Sequence, residues 1–323
     1  MKRKHLLMAV SCIAAGFVFT STASLGQSFG SKPMRIVTTE VGNNNDLLSR
    51  MLADGLTPLV GTQVIVENRA GAGGGMAIEK LISALPDGHT IMVHGTSVWL
   101  LPLLRDDTPW DPFKDFTPVS MISQNPAVMV VPASVPVKSV AELIDYAKAR
   151  PGKLNYASVD DGSPSHLAAE LFISMAGLKV ERITYRGGAA AFNGMLSGEG
   201  QLMVNSIPPL VPHIQAGRFK ALGVTAHSAL LPNLPVIGAS VPGYEWITHQ
   251  AVFAPAKTPA AIIKRLNAEV VKVLASPEVH DRMMKLGTEV AGTSPQEVTA
   301  MMKDETTKMR VVLHNNRKFA LNN

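Results

Sequence analysis

The stretch from Val66 to Gly75 constrains the chain more than any other. A short apolar run, Gln63-Val64-Ile65-Val66, leads into Glu67-Asn68-Arg69-Ala70-Gly71-Ala72-Gly73-Gly74-Gly75, and a helical pattern from Met76 to Ala84 follows. Strand, glycine loop and helix in that order present backbone N–H groups to an anion. The Gly-x-x-x-x-Gly-Lys-Ser/Thr spacing of a nucleotide phosphate loop is absent. A smaller anion remains, and a carboxylate fits best. A second reading stays open on the loop alone, because glycines also serve simply to let a helix and a strand approach closely.

The first residues read as a secretory signal peptide spanning 1–26. Met1-Lys2-Arg3-Lys4-His5 is basic, Leu6 to Phe19 is apolar, and the small residues Ser21-Thr22-Ala23-Ser24-Leu25-Gly26 offer cleavage near Ala23 or Gly26. The apolar stretch is shorter than the roughly 20 residues of a spanning helix. Cys12, the single cysteine, lies inside this segment. The mature chain then has no thiol for a disulfide, a nucleophile or a zinc–thiolate site. The formal net charge is +5, and removing Lys2, Arg3 and Lys4 leaves 27 basic against 25 acidic residues, or +2. These charges are interleaved without a basic stripe, and aromatic residues are only 5%, so nucleic-acid binding has little support. A chain of about 300 residues suits two lobes better than one core.

Strand and helix patterns alternate along the mature chain. Met34 to Thr38 reads as a strand. Asp46 to Leu59 carries apolar residues at helical spacing, with Asn45 as N-cap. Val64 to Val66 and Thr90 to His94 complete a βαβαβ unit, which argues for a parallel sheet covered by helices. Phe116 to Met121 and Ala127 to Val131 read as two strands carrying the chain between lobes. Ser139 with Glu142 forms a capping box. Pro164 fits the first turn of a helix reaching Met175. Strands are expected at 154–157, 180–184, 201–204, 221–225 and 251–254. A short helix is expected at 189–196, and C-terminal helices begin near Pro259, Pro277 and Pro295.

The expected fold is therefore α/β, a two-lobed clam-shell with its ligand cleft between the lobes. Residues 27–126 and 248–323 form lobe 1, and 127–247 form lobe 2. Ligands of such sheets bind at the carboxyl ends of the strands. Those ends carry Glu40–Asn45, Arg69–Gly75, Gly95–Trp99, Ser158–Ser165, Tyr185–Gly188 and Asn205–Pro208.

Enzymatic readings find little to stand on. His166 is next to Ser165, but adjacent helical residues do not face each other. His89 and His94 lack a carboxylate at ligand spacing, so no metal is expected. Asp160-Asp161 reads as a solvated loop rather than a catalytic pair. No Gly-x-Ser-x-Gly elbow occurs. Neither a cofactor nor catalysis is expected.

Several segments together carry a resemblance. They are Val66 to Gly74, Pro86-Asp87-Gly88, Asp111 to Val119, Pro151 to Ser158, Ser165 to Phe172, Pro212 to Arg218 and Phe253 to Pro259. In this order the chain resembles the periplasmic solute-binding receptors of tripartite tricarboxylate transporters, the Bug-type proteins. The resemblance implies a two-lobed periplasmic binding protein fold and a periplasmic location. It also implies capture of a small organic carboxylate by a monomeric receptor. Delivery would be to a membrane permease of one large and one small subunit. Carried over by position, it places ligand contacts at Val41, Gly42, Asn43, Asn44, Asn45 and Asp46, and in the glycine loop at Ala72, Gly73 and Gly74. The opposite lobe gives Ser158, Ser163, Ser165, Arg186 and Asn205, and Trp99 offers an apolar wall.

Two positions depart from the family pattern. The first loop lacks the usual proline and paired glycines, having Val41-Gly42-Asn43-Asn44-Asn45. Asn205 stands where an aspartate is usual. Loss of that charge argues against an amino acid and for a dicarboxylate or an aromatic carboxylate. A sensor presenting its ligand to a signalling receptor, or a periplasmic enzyme acting on a carboxylate, are the alternatives.

Overall fold

The computed structural model describes residues 32–71, 74–103, 107–159 and 163–315. The predicted signal peptide, Ala72, Gly73 and the Asp160-Asp161 pair lie outside these residues. In chain order the elements are β1 (Met34–Thr38), α1 (Asn44–Val60), β2 (Val64–Asn68), α2 (Gly75–Ile82), β3 (Thr90–Gly95), α3 (Ser97–Leu100) and β4 (Phe116–Pro132). Then come α4 (Val140–Lys148), β5 (Asn155–Ser158), α5 (Pro164–Met175), β6 (Glu181–Thr184), α6 (Gly188–Leu196), β7 (Met203–Ser206), α7 (Ile207–Gln215) and β8 (Phe219–Val224). The chain ends with β9 (Ile247–Pro255), α8 (Ala260–Leu274), α9 (Pro277–Lys285), β10 (Glu289–Val290) and α10 (Pro295–Asn315).

Strand β1 pairs in parallel with β2 and β3, as the βαβαβ pattern requires. Beyond β3 the sheet turns antiparallel, in the order β10-β4-β9-β3-β1-β2. Alternation along the strands decides which helices cover each face. Ile91 and Val93 of β3 point into the cluster beneath α1 and α8. Met92, between them, joins the cluster with α2, Trp99 and α10.

The two strands expected at 116–121 and 127–131 are one strand, β4. From Phe116 to Pro126 it pairs with β9. From Ala127 it pairs with β7 and β8. The sequence Gln124-Asn125-Pro126 breaks the apolar pattern without breaking the extended backbone. Pro126, which has no N–H to give a ladder, sits where β4 changes partners. Beyond that point Val128 and Val130 face the α6–α7 cluster, while Met129 and Val131 face the α4–α5 cluster. A parallel bridge from Tyr156 to Leu202 joins the β5–β6 pair to this second sheet region.

Helix α7 was not legible as a helix. Pro208, Pro209 and Pro212 depress helix propensity, but the first two occupy its first turn, where a missing N–H is tolerated. The N-cap of α1 is Asn43, not Asn45. Its Oδ1 accepts from the Asp46 N–H at 3.0 Å.

Candidate functional site

Three helix N-termini meet at one cavity of about 370 Å³. Helix α1 contributes Asn44, α5 contributes Pro164 and Ser165, and the entry to α7 contributes Asn205, Ser206, Pro208 and Pro209. The first-turn N–H groups of a helix lack partners within it, and its dipole places partial positive charge there. Strands β4 and β9 make the floor, through Asn125, Pro126, Ala127, Thr248 and Gln250, with Trp246 just before β9. The turn after α9, Leu286 to Thr288, closes one side.

The loop after β1 is built around Asp46, whose side chain is 2% exposed. It accepts from the Gly42 N–H at 2.8 Å and from Asn68 Nδ2 at 2.8 Å, and it pairs with Arg50 at 3.0 Å. Burial pushes its pKa up, but these donors outweigh burial and hold the carboxyl below its ordinary value of 3.8. Asp46 thus shapes the loop and spends its acceptor capacity internally. Gly42 needs its φ of +82°, a region side chains disfavour. Asn43 and Asn45 both donate to Thr39 Oγ1, at 2.7 and 3.3 Å. Asn44 faces the cavity, and its Oδ1 meets Thr288 Oγ1 at 3.5 Å. Val41 stands exposed at the loop tip.

Gly74 begins α2 at φ +94°. His94 lies directly beneath it, so closely that a Cβ at Gly74 would overlap the imidazole. Burial drives the His94 pKa down from 6.5 to about 4, against the opposing pull of Glu40. His94 Nδ1 accepts from the Gly95 N–H at 2.8 Å, which fixes a neutral ring with its proton on Nε2.

Across the cavity, Ser163 caps α5. Its Oγ accepts from the His166 N–H at 3.3 Å and lies 3.2 Å from Ser165 Oγ. Ser165 lines the cavity and Ser158 does not. Ser158 is buried and accepts from Arg182 Nε at 2.7 Å. Asn205 lines the cavity, with its Oδ1 held by the Ser206 N–H at 2.8 Å.

Of the expected contacts among the described residues, only Asn44, Ser165 and Asn205 line the cavity; Val41, Gly42, Asn43, Asn45, Asp46, Gly74, Ser158, Ser163, Trp99 and Arg186 do not. Trp99 is not a cavity wall. It is fully buried, stacked in tilted fashion on Phe253 at 6.3 Å, with Nε1 donating to Glu305 at 2.7 Å. The strand-to-helix turn at Thr96 directs it into the core, and Trp246 lines the cavity instead. Arg186 is solvent-exposed and does not line the cavity. Asn125, Trp246, Thr248, Gln250 and the 286–288 turn went unanticipated, because strand interiors and a distant loop carry no ligand signature in sequence. Among the described residues no cluster of three or more His, Cys, Asp or Glu side chains is placed to hold a metal. No helix among them is long and apolar enough to cross a membrane.

Known proteins share this architecture and much of the sequence. The family model described as "Tripartite tricarboxylate transporter family receptor" matches residues 48–317. A UPF0065 protein encoded in the tcbD-tcbE intergenic region of Pseudomonas sp. (strain P51) is 32% identical over 302 residues, spanning 91% of this chain and 90% of that protein. Rpa4515 of R. palustris, solved with adipate, superposes with a TM-score of 0.74 at 31% identity, covering 88% of this chain and 97% of the other. MatC of Rhodopseudomonas palustris, solved with bound malate, gives a TM-score of 0.71 at 26% identity, over 88% and 99%. Matched along most of its length in sequence and in fold, the chain belongs to the tripartite tricarboxylate transporter receptor family, whose members are two-lobed periplasmic solute-binding proteins.

Proposed function

We propose that this receptor captures a small organic carboxylate, a dicarboxylate or an aromatic carboxylate, in the cavity between its lobes. It acts as a monomer, without transforming its ligand, and delivers it to a permease of one large and one small subunit. Residues 1–26 direct the chain to the periplasm. The lobes are 27–126 with 248–323, and 127–247, a division supported by the change of β4 partners after Pro126. One observation carries the reading: three helix N-termini converge on a cavity whose described lining has no charged side chain. Positive dipole ends suit an anion that brings the only full charge; Pro164, Pro208 and Pro209 have no N–H, so first-turn donors come from α1 and from Ser165 of α5. Adipate and malate in the two related structures are carboxylates of this class. Asn44, Ser165 and Asn205 are the expected contacts from opposite sides. Binding selects the closed arrangement, which the permease then recognises.

The test is a thermal-shift screen of the chain from Gln27, unfolded and refolded to strip any bound solute. Citrate, C4–C6 dicarboxylates, aromatic carboxylates, acidic amino acids and neutral controls make the panel. A ligand at 100 times its dissociation constant adds roughly 2.7 kcal/mol, a visible shift. A shift with one carboxylate class, and recovery of that ligand unchanged, is expected. Folded protein that shifts with none of them would sink the proposal.

A further inference from the structure

The floor of the cavity holds two polar atoms that the protein leaves unsatisfied. Asn125 Nδ2 faces acceptors only: Gln250 Oε1 at 2.7 Å, Ser123 Oγ at 3.3 Å and the Thr248 carbonyl at 3.4 Å. Ser123 Oγ gives its own proton to Gln250 Oε1 at 2.5 Å. With Nδ2 turned to the Thr248 carbonyl, Oδ1, a pure acceptor, is buried without a donor. The Trp246 indole Nε1, a pure donor, is likewise buried without an acceptor, on a side chain 6% exposed. Asn125 is in register with Thr248, and Trp246 precedes β9 by one residue. Both line the same cavity.

An unmet acceptor and an unmet donor on two residues of one cavity suit a ligand group that is both donor and acceptor, and a hydroxyl is such a group. A second carboxylate accepts only, so it leaves Asn125 Oδ1 facing negative charge, and no described residue of the lining is a cation to offset it. Apolar contacts in the same lining come from Trp246, Pro126, Pro164, Pro208, Pro209 and Leu286. We infer that Asn125 and Trp246 form a second recognition point that takes a ligand hydroxyl, and that the preferred ligand is a hydroxylated aromatic monocarboxylate rather than a dicarboxylate. This rests on the carboxylate reading above and narrows it: the helix N-termini take the carboxylate, and the hinge strands read the other end.

Isothermal titration of the refolded chain with benzoate, 3-hydroxybenzoate, 4-hydroxybenzoate and adipate tests this. At least one hydroxybenzoate is expected to bind about tenfold more tightly than benzoate, equivalent to about 1.4 kcal/mol, and more tightly than adipate. In Trp246→Phe, and separately in Asn125→Ala, the ratio of hydroxybenzoate to benzoate affinity should fall towards one. That ratio is internal to each variant, so a partly unfolded sample does not mimic it. A wild-type preference for adipate, or no gain from either hydroxyl, overturns the inference while leaving the carboxylate reading intact. Ratios unchanged in both variants overturn the assignment to these two residues. Failure of all four ligands to bind folded protein overturns this inference, and the wider acid panel above then decides the carboxylate reading separately.

Discussion

His94 shows how a residue with no motif around it becomes a structural determinant. It is 2% exposed, and its neutral ring supports the start of α2 from below. Its ordinary pKa of 6.5 falls to about 4, with burial the largest cause. Between those values the unfolded chain holds a proton that the folded chain does not, so stability rises with pH across this window. The slope reaches about 1.4 kcal/mol per pH unit. In His94→Gln that contribution should vanish, and urea unfolding between pH 4.5 and 6.5 should show a shallower pH dependence than wild type. Equal slopes would mean that His94 is protonated in the native state. The glycine loop was legible as a strand-to-helix turn; at Gly74 it permits the close approach to His94, and none of its described residues lines the cavity. The pairing of Gly74 with His94 was not, because proximity across 20 residues is a property of the sheet register. The three asparagines show the same limit. Each is chemically able to cap α1, and because the helix begins at Asn44 it is Asn43 that does so.

At the scale of elements, local signals recovered most helices and strands: α1 buries Leu48, Met51, Leu52 and Leu56 at helical spacing, β1 and β3 are short apolar runs, and Pro164 marks the first turn of α5. It failed where tertiary structure overrode the local signal: β4 reads as two strands, and α7 as a proline-rich connector. The turn between α9 and β10 was invisible for another reason, since its role is set by what it touches. Gly287 has φ +70°, and a Cβ there would overlap the Pro208 ring at the start of α7. Two residues on, Glu289 Oε1 accepts from Ser228 Oγ at 2.8 Å and from the Ala229 N–H at 3.0 Å. The turn therefore clasps the segments after β7 and β8 against the sheet of β1. Gly287→Ala should prevent that close approach and weaken ligand binding about tenfold. Gly292→Ala is the control, because φ there is +81° but the nearest atom to its Cβ is Leu274 Cδ1 at an ordinary 3.8 Å. Both variants should lose about 1 kcal/mol of stability from backbone strain. Only Gly287→Ala should lose affinity by titration, and an equal affinity in the two would remove the clasp from the account.

For the whole molecule, one apolar cluster links elements of both lobes. The largest apolar cluster runs from Met92 and Trp99, through Met129 of β4, to Phe172 of α5 and Met302 and Met309 of α10. Helix α10 thus packs against the sheet of β1 and against α5 at once, across the strands that carry the chain between lobes. Its polar anchor is Glu305. One carboxylate oxygen accepts from Trp99 Nε1 at 2.7 Å, and the other lies 2.8 Å from His249 Nδ1. The C-terminal helix was legible as a helix beginning at Pro295, but its role as a brace was not. Its apolar spacing says which face is buried and nothing of how many partners share it. In Glu305→Ala, Trp99 Nε1 loses its acceptor in a buried setting, a loss of about 1–3 kcal/mol. Since α10 couples the lobes, the loss should also appear as reduced cooperativity. By scanning calorimetry, wild type is expected to unfold in one transition whose calorimetric and van't Hoff enthalpies agree. Glu305→Ala should unfold at lower temperature, with a van't Hoff enthalpy below the calorimetric one. Agreement of the two enthalpies in the variant would show that β4 and β9 alone hold the lobes in one cooperative unit, with α10 adding stability but no coupling.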